Sequence, residues 1–506
     1  MSTLETIPAR LASLAPVLVV AGDAILDRWW IGTSARLSRE APAPVVDVTE
    51  RRTAAGGAAN AALNAAAMGA RVRFVGIIGA DAAGDEVVHL LRAAGVDCTG
   101  ALRRRGVVTT VKTRIVADDQ VLVRADETHA SGGPAAAVLA STDASERGAD
   151  LGGDLGGELA DALAAALDGA EAMLVSDYGG PLLVPAVEHA VAVRRPAHVV
   201  VDAHEPAHWR GIRPDVVVPN ALEAAALVRE TWPAGRERLD AVTAAADRLL
   251  DAAGAEHMVV TLDRDGTVVL RRGAAPLTTF AHPVAEKFAS GAGDTFAAAL
   301  TAALAIGAPI GDSAGIAQCA ADVVVRALGT SVCSAAALAA EAGTPRPAIL
   351  TSAELAHVVA RDRDDGLRIV FTNGCFDVLH LGHTSYLREA KRLGDRLVVA
   401  VNADASVRRL KGPGRPVNDE IDRAGVVAAL ECVDYVTLFD ADTPIALIEA
   451  LRPDLYVKGG DYTPDMLEET PAVRAYGGEV RTVGYVEAHS TSAVVDRIRS
   501  QSGEPS

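Results

Sequence analysis

Short valine-rich runs alternate with alanine-rich stretches along most of the 506 residues. Val17–Ala21, Val199–Val201, Val216–Val218 and Met258–Thr261 are too short and too β-branched for helices and read as buried strands. Glu158–Leu167, Leu239–Ala253 and Asp294–Ile306 read as helices. Strand and helix taking turns in this way predicts mostly parallel sheet covered on both faces. Two stretches interrupt the alternation. Val45–Val48 and Val107–Val123 alternate apolar and polar side chains with no helix between strands, which predicts a small separate sheet over the main layer. Ser131–Gly157 is rich in Gly, Ala, Ser and Asp and predicts a mobile surface insertion without chemistry of its own.

The pattern loosens after Cys333 through Glu341–Pro347. Ser352 then looks like the N-cap of a short helix, Arg361–Gly366 reads as a charged break, and a new strand–helix series starts at Leu367. The organisation expected is a domain over 1–333, a linker with a short helix over 334–366, and a second domain over 367–506. Length agrees, because 506 residues exceed one ordinary core. A net charge of −18 argues against general nucleic-acid or anionic-membrane binding. Five cysteines without metal-ligand spacing fit a reduced, cytoplasmic protein. Met1–Leu14 lacks the basic and apolar regions of a signal peptide, and no stretch makes a membrane span.

The densest chemistry lies in Thr372-Asn373-Gly374-Cys375-Phe376-Asp377-Val378-Leu379-His380-Leu381-Gly382-His383. It follows the strand Ile369–Phe371 and leads into an amphipathic segment ending near Gly394. A helix start there offers unpaired N–H groups, and two imidazoles beside it can hold a triphosphate while it is attacked. A histidine pair alone could equally be core or surface; the strand, the Gly374 turn and the helix favour a site. Lys411, in the basic run Arg408–Gly412 between predicted elements, could neutralise phosphate or merely be solvated. Lys458 follows another strand, and Ser490 and Thr491 precede the apolar run Ala493–Ile498, where they could bind phosphate or cap a helix. Cys375 has no partner base in the sequence and reads as pocket wall. The whole stretch resembles the cytidylyltransferase-like nucleotidyltransferases. That resemblance implies attack of a substrate phosphate on the α-phosphorus of a nucleoside triphosphate, with His380, His383 and Lys411 catalytic. Thr372, Asn373, Gly374, Phe376, Asp377, Lys458, Ser490 and Thr491 would shape the nucleotide site.

In the first domain Ser290-Gly291-Ala292-Gly293-Asp294-Thr295 opens a helical run. Gly291, Ala292 and Gly293 can turn N–H groups toward an anion, and Asp294 beside a phosphate makes sense as a base accepting a hydroxyl proton. A bare Gly-Ala-Gly-Asp is more often a capped turn. Gly56-Gly57-Ala58-Ala59-Asn60, Gly22-Asp23 with Asp27, and Asn220-Ala221-Leu222-Glu223 change that balance. In this order they resemble the ribokinase-like (PfkB) sugar kinases over about two-thirds of the chain. The resemblance implies a base at Asp294 and sugar contacts at Asp23, Asp27, Gly56, Gly57 and Asn60. It also implies magnesium and phosphate organised by Asn220 and Glu223, the latter through water.

The two resemblances together, with Glu40–Pro44 and Ser176-Asp177-Tyr178, are similar to one bifunctional family, the heptose 7-phosphate kinase/heptose 1-phosphate adenylyltransferases, over nearly the whole chain. The fold class implied is α/β: a ribokinase-like three-layer domain with a β-sheet lid, then a Rossmann-like nucleotidyltransferase domain with a parallel sheet. ATP would be substrate of both reactions, with Mg2+, sugar phosphates, a separate heptose bisphosphate phosphatase and a homodimer through the lid. Three positions depart from the family's pattern. Phe288 replaces a carboxylate associated with a monovalent cation, leaving cation activation without its usual ligand. Gly179-Gly180 and Asp202-Ala203-His204 each stand where a lysine is usual. Two other readings stay open: only the nucleotidyltransferase is active, or the nucleotide is CTP or GTP.

Overall fold

The computed structural model describes residues 3–118, 120–128, 155–180, 182–233, 236–279, 281, 290–327, 329–343, 348–350, 352–364, 366–459 and 463–483. The chain divides into two compact units, Met1–Thr344 and Pro345–Ser506.

In the first unit the strands are β1 (Val17–Gly22), β2 (Ala24–Leu37), β3 (Pro44–Gly57), β4 (Arg71–Gly79), β5 (Asp97–Arg104), β6 (Thr110–Ala117) and β7 (Gln120–Glu127). They continue as β8 (Ala172–Asp177), β9 (His198–Ala203), β10 (Val216–Val217), β11 (His257–Thr261), β12 (Thr267–Arg271) and β13 (Leu277–Thr279). A nine-stranded sheet runs β13-β12-β11-β10-β9-β8-β1-β4-β5 and is parallel except at β12, which is antiparallel to both neighbours. Its central strands are valine-rich and buried on both faces, as parallel sheet requires. Helices Ala58–Ala67, Ala292–Ala305 and Ile310–Val325 cover one face, and Leu155–Ala166, Leu183–Val193 and Ala246–Ala253 the other. The helix Ala292–Ala305 is apolar all round because it is sandwiched between its neighbours, so every residue from Asp294 to Leu304 is buried. The expected helix over Leu239–Ala253 is two helices, Arg236–Ala244 and Ala246–Ala253, broken at Ala245.

A second, four-stranded sheet runs β3-β2-β6-β7, with β2 parallel to β6 and antiparallel to β3. This is the predicted small sheet, but it is larger than the two segments foresaw. One of its two longest strands, β2, carries Asp27, Arg28 and two tryptophans, so its alternation does not read as a buried strand. Most of the segment expected as a surface insertion lies outside the described residues, and its end joins the helix that begins at Leu155.

The second unit holds β14 (Ala348–Leu350), β15 (Ile369–Gly374), β16 (Arg396–Asn402), β17 (Tyr435–Phe439), β18 (Leu455–Gly459) and β19 (Glu479–Val483). They form an all-parallel sheet in the order β14-β17-β16-β15-β18-β19, with apolar cores on both sides. Residues 334–366, expected as a linker, are shared out between the units. The helix Ala335–Ala342 packs on the first, whereas β14 and the helix Ser352–Asp364 complete the second. The expected charged break at Arg361–Gly366 is mostly the last turn of that helix. Buried Asp362 there accepts bonds from Arg396 and Tyr435, while Arg363 caps the Leu451 and Arg452 carbonyls. No helix among the described residues is long and apolar enough to cross a membrane.

Candidate active sites

In the first unit the C-terminal ends of β8, β9, β10 and β11 converge with the start of the helix Ala292–Ala305. They enclose a cavity of about 180 Å³ that includes Asp177, Tyr178, Asp202, His204, Glu223 and Asp294 in its lining. Ligands of open parallel sheets bind at such strand ends. Gly291 caps the helix at φ 84°, a left-handed conformation that glycine adopts without strain, and this brings the helix start to the cavity. Asp294 is held at both oxygens: the Tyr178 hydroxyl donates to Oδ1 (2.8 Å) and Asn60 Nδ2 to Oδ2 (3.1 Å). Burial pushes its carboxyl up to about 6, against the pull of these two donors.

Asn60 is itself fixed from behind. Its Oδ1 accepts from Asn64 Nδ2 (3.0 Å), and Asn64 Oδ1 accepts the Cys333 N–H (2.9 Å). A backbone N–H can only donate, so this chain of amides presents an N–H to Asp294 rather than an oxygen. The sequence expectation made Asn60 a sugar contact; the structure places it against the expected base.

The other expected sugar residues divide. Asp23 and Gly57 stand beside Tyr178, with Asp23 Oδ2 accepting the Tyr178 N–H (3.0 Å) and burial pushing Asp23 up to about 6. Asp27 lies next to Gly56, and its carboxylate is already taken by Arg114 (2.6 Å) and Thr330 (2.9 Å). Asp27 therefore ties the lid strands to the segment after the last helices of the main layer. Asn220 and Glu223 form a capping box: Asn220 Oδ1 accepts from the Leu222 and Glu223 N–H groups, and Glu223 Oε2 accepts the Asn220 N–H (2.8 Å). Both line the cavity all the same. Glu223 Oε1 meets His204 Nδ1 at 2.7 Å, a bond that raises the imidazole's pKa. Asp202 is pushed up to about 8, by burial first and then by Asp294 and Glu223. So many crowded carboxyls leave the cavity short of positive charge. Phe288 lies outside the described residues.

In the second unit β15 ends at Gly374 and the helix Leu381–Lys391 begins with His380 as its N-cap residue. The His380 and His383 rings lie 3.9 Å apart at 35°, and Phe376 packs on His383 at 5.4 Å. Burial first, then nearby His380 and Lys411, push His383 down to about 4, so it is neutral near pH 7. Its Nδ1 is buried without a hydrogen-bond partner among the described residues. Lys411 is the exposed last residue of the helix Asp404–Lys411; the basic run expected between elements belongs to this helix. Arg408 and Arg409 are engaged there by Asp404, Asp440 and Asp442.

Asn373 Oδ1 accepts from both Lys458 Nζ and the Tyr456 hydroxyl (2.8 Å each), and burial lowers the lysine's pKa. Thr372 is fully buried with its hydroxyl on Tyr386, which places it in the core rather than at a ligand. The Asp377 carboxylate is consumed by Arg415 and the N–H groups of Val417 and Asn418, so it anchors the loop 412–418. Ser490 and Thr491 lie outside the described residues.

Residues 17–133 and 199–337 match the model of the pfkB carbohydrate kinase family, and residues 371–500 match the cytidylyltransferase-like family. The chain is 40% identical over 495 residues to the bifunctional protein HldE of Pseudomonas paraeruginosa, covering 96% of this chain and 98% of that protein. The HldE of Geobacter metallireducens is 38% identical over 497 residues, covering 96% of both. The chain belongs to the bifunctional HldE family. It is therefore an enzyme with two activities, a heptose kinase and an adenylyltransferase of ADP-heptose biosynthesis. The fold of its first unit is also that of phosphofructokinase-2 from Escherichia coli crystallised with potassium. That match has a TM-score of 0.50 at 16% identity, over 65% of this chain and 97% of the other.

Several residues at these sites escape sequence reasoning. Tyr178 stands in a noted motif, but nothing in Ser-Asp-Tyr says that its hydroxyl reaches Asp294. Asn64 lies one turn past Asn60 on an alanine-rich helix, and that spacing was the available signal. Arg423 has a fully buried side chain and donates to Asn418 O (3.0 Å), Asn402 O (2.7 Å), Asp404 (2.8 Å) and Cys375 O. It locks the loops around the second site and looks in sequence like any helix-surface arginine.

Proposed function

We propose that the first unit phosphorylates heptose 7-phosphate at O1, with Asp294 as general base. The carboxylate takes the O1 proton, O1 attacks the γ-phosphorus of ATP, the bond to the bridging oxygen breaks, and ADP leaves with the 1,7-bisphosphate formed. Asn60 and Tyr178 orient the carboxylate, and the N–H groups at Gly291, Ala292 and Gly293 receive phosphate charge. Asp23, Asp27, Gly56 and Gly57 form the sugar side of the pocket, where Asp27 acts through Arg114 and Thr330. The single observation that carries this reading is Asp294, held at both oxygens at a helix start that lines the cavity. The intact base weighs against a kinase unit that only binds sugar or dimerises.

The donor chemistry of the cavity fits Mg2+, which keeps several waters and takes one or two carboxylates together with substrate phosphates. Glu223 would hold it through water beside Asn220, and the bound ion would neutralise phosphate charge. In the second unit the heptose 1-phosphate oxygen attacks the α-phosphorus of ATP, and pyrophosphate leaves. His380 and His383 hold the triphosphate at the helix start, Lys411 and Lys458 supply charge, and Ser490 or Thr491 assists. Asn373, Gly374, Phe376 and Asp377 shape the pocket. A separate phosphatase removes the 7-phosphate between the two steps, and we place the chain in the cytoplasm.

The assay that tests this reading supplies the whole chain first with heptose 7-phosphate and ATP, then with heptose 1-phosphate and each nucleoside triphosphate. ADP release in the first and pyrophosphate release fastest with ATP in the second are the expected results. Loss of either step removes that half of the reading.

The partner of the lid is a second copy of the chain. Strand β7 is exposed along its whole length at the sheet edge, and Val121 and Val123 are 44% and 52% exposed. Apolar edge strands of this kind pair with another chain. Sedimentation should give a dimer, and Val123→Asp should shift it to monomer; a monomeric parent would end this reading.

A further inference from the structure

The acceptor of the first reaction carries a phosphate that is not transferred, and a cavity crowded with carboxyls must still receive it. Among the cationic side chains described around the cavity, most are engaged. Arg114 pairs with Asp27 (2.6 Å), reaches the Ser290 hydroxyl (3.1 Å) and stacks on Trp29. His204 is bound to Glu223. Gly179 and Gly180 offer no side chain, and Gly180 packs against Asp23.

Lys112 is different. It lies on lid strand β6, in register with Asp27 of β2, and is half-buried. Its Nζ sits over the face of Tyr178, 5.3 Å from the ring centre, and the hydroxyl of that same ring holds Asp294. The ammonium is therefore one tyrosine ring away from the base, on the lid side of the pocket. Packing over a ring face is a weak use for a full charge at a half-exposed site.

The substrate's shape matches this placement. In a heptopyranose the arm that carries O7 leaves the ring at the carbon across the ring oxygen from the anomeric carbon. Its phosphate thus hangs on the flank next to the reacting hydroxyl. With O1 at Asp294, a flexible lysine on the lid can reach that flank as a point charge.

We propose that Lys112 is the specificity-determining residue that recognises the non-transferred phosphate of the sugar substrate. This rests on the reading of the first unit as a sugar phosphate kinase with Asp294 as base. Lys112 then makes the lid a selector: the phosphate of a phosphorylated sugar meets the ammonium on β6, and a plain sugar has nothing to offer it.

The test compares the whole chain with its Lys112→Met and Lys112→Arg variants, using heptose 7-phosphate and unphosphorylated heptose. Lys112→Met keeps the length and loses the charge. Its KM for heptose 7-phosphate should rise about 10- to 100-fold, the scale of one charge-assisted contact. Assayed well above the range in which Asp294 titrates, so that the base stays ionised without the ammonium, the KM for ATP and the kcat/KM for plain heptose should stay close to the parent values, and Lys112→Arg should recover most of the loss. Where plain heptose turns over too slowly, its inhibition of sugar phosphate turnover supplies the same comparison. An equal loss on both sugars, or a rise confined to the KM for ATP, would overturn the proposal. The underlying reading fails separately. Full turnover by Asp294→Asn removes the base, and a parent enzyme indifferent to the sugar's phosphate removes the substrate class. A preference that survives in Lys112→Met removes the role of Lys112 alone.

Discussion

The Asp294→Asn chain should release ADP from heptose 7-phosphate about 10²- to 10⁴-fold more slowly than the parent, the range of a lost general base. Asparagine keeps the volume and the bond from Tyr178 but cannot take a proton. The same variant should release pyrophosphate from heptose 1-phosphate at the parent rate, because Asp294 lies in the other unit. The pH dependence follows from the base's surroundings. Asp294 acts only when ionised, and burial raises its pKa to about 6. Kinase turnover should therefore be full above that value and fall as pH drops through it. Asn60, Tyr178 and Lys112 favour the ionised form, whereas burial and Asp27 oppose it. Tyr178→Phe removes one donor and should move the acid limb to higher pH. A limb that stays put in Tyr178→Phe, or full ADP release by Asp294→Asn, would contradict the assignment.

His383→Ala has the larger effect on the second reaction, a loss of about 10²- to 10³-fold in adenylyl transfer, as for other donors that meet developing charge. Among the described residues His383 Nδ1 is buried without a hydrogen-bond partner, and an atom so placed costs about 1–3 kcal/mol. A residue kept only for packing would not be histidine here. The substitution relieves that cost and opens a gap beside Phe376, so the two changes oppose each other in stability. The unit should melt near the parent temperature while turnover collapses. An unchanged rate of pyrophosphate release would move the site away from this helix start.

Much of this was legible because function here follows local rules. Valine runs gave the parallel strands, and glycine or histidine beside a helix start gave both candidate phosphate sites. What stayed hidden depends on contacts between distant parts of the chain. Strand β2 reads poorly because Asp27 and the tryptophans serve the lid and its bonds to Arg114 and Thr330 rather than a continuous core. Asn60 was expected to touch sugar, and only the 234-residue reach to Asp294 reveals its other task. Thr372 and Asp377 sit in a ligand-like motif, yet Tyr386 and Arg415 claim their side chains. Arg361–Gly366 reads as a charged break, but charge is compatible with a packed helix where it finds partners, as buried Asp362 does in Arg396 and Tyr435. Motif and strand pattern thus pointed to the candidate residues, and tertiary partners decide which of their side chains are already engaged.

On this reading one chain makes an anomeric phosphate in its first unit and adenylylates it in its second. Phosphorus NMR of the whole chain with heptose 7-phosphate, ATP and Mg2+ tests both steps in one tube, before and after addition of a phosphatase that removes only the 7-phosphate. The predicted result is an anomeric phosphate signal of the 1,7-bisphosphate alone, replaced after the phosphatase by the pyrophosphate linkage of ADP-heptose. Absence of any anomeric phosphate would contradict the kinase half. A linkage that forms only when CTP or GTP is supplied would contradict the adenylyltransferase half.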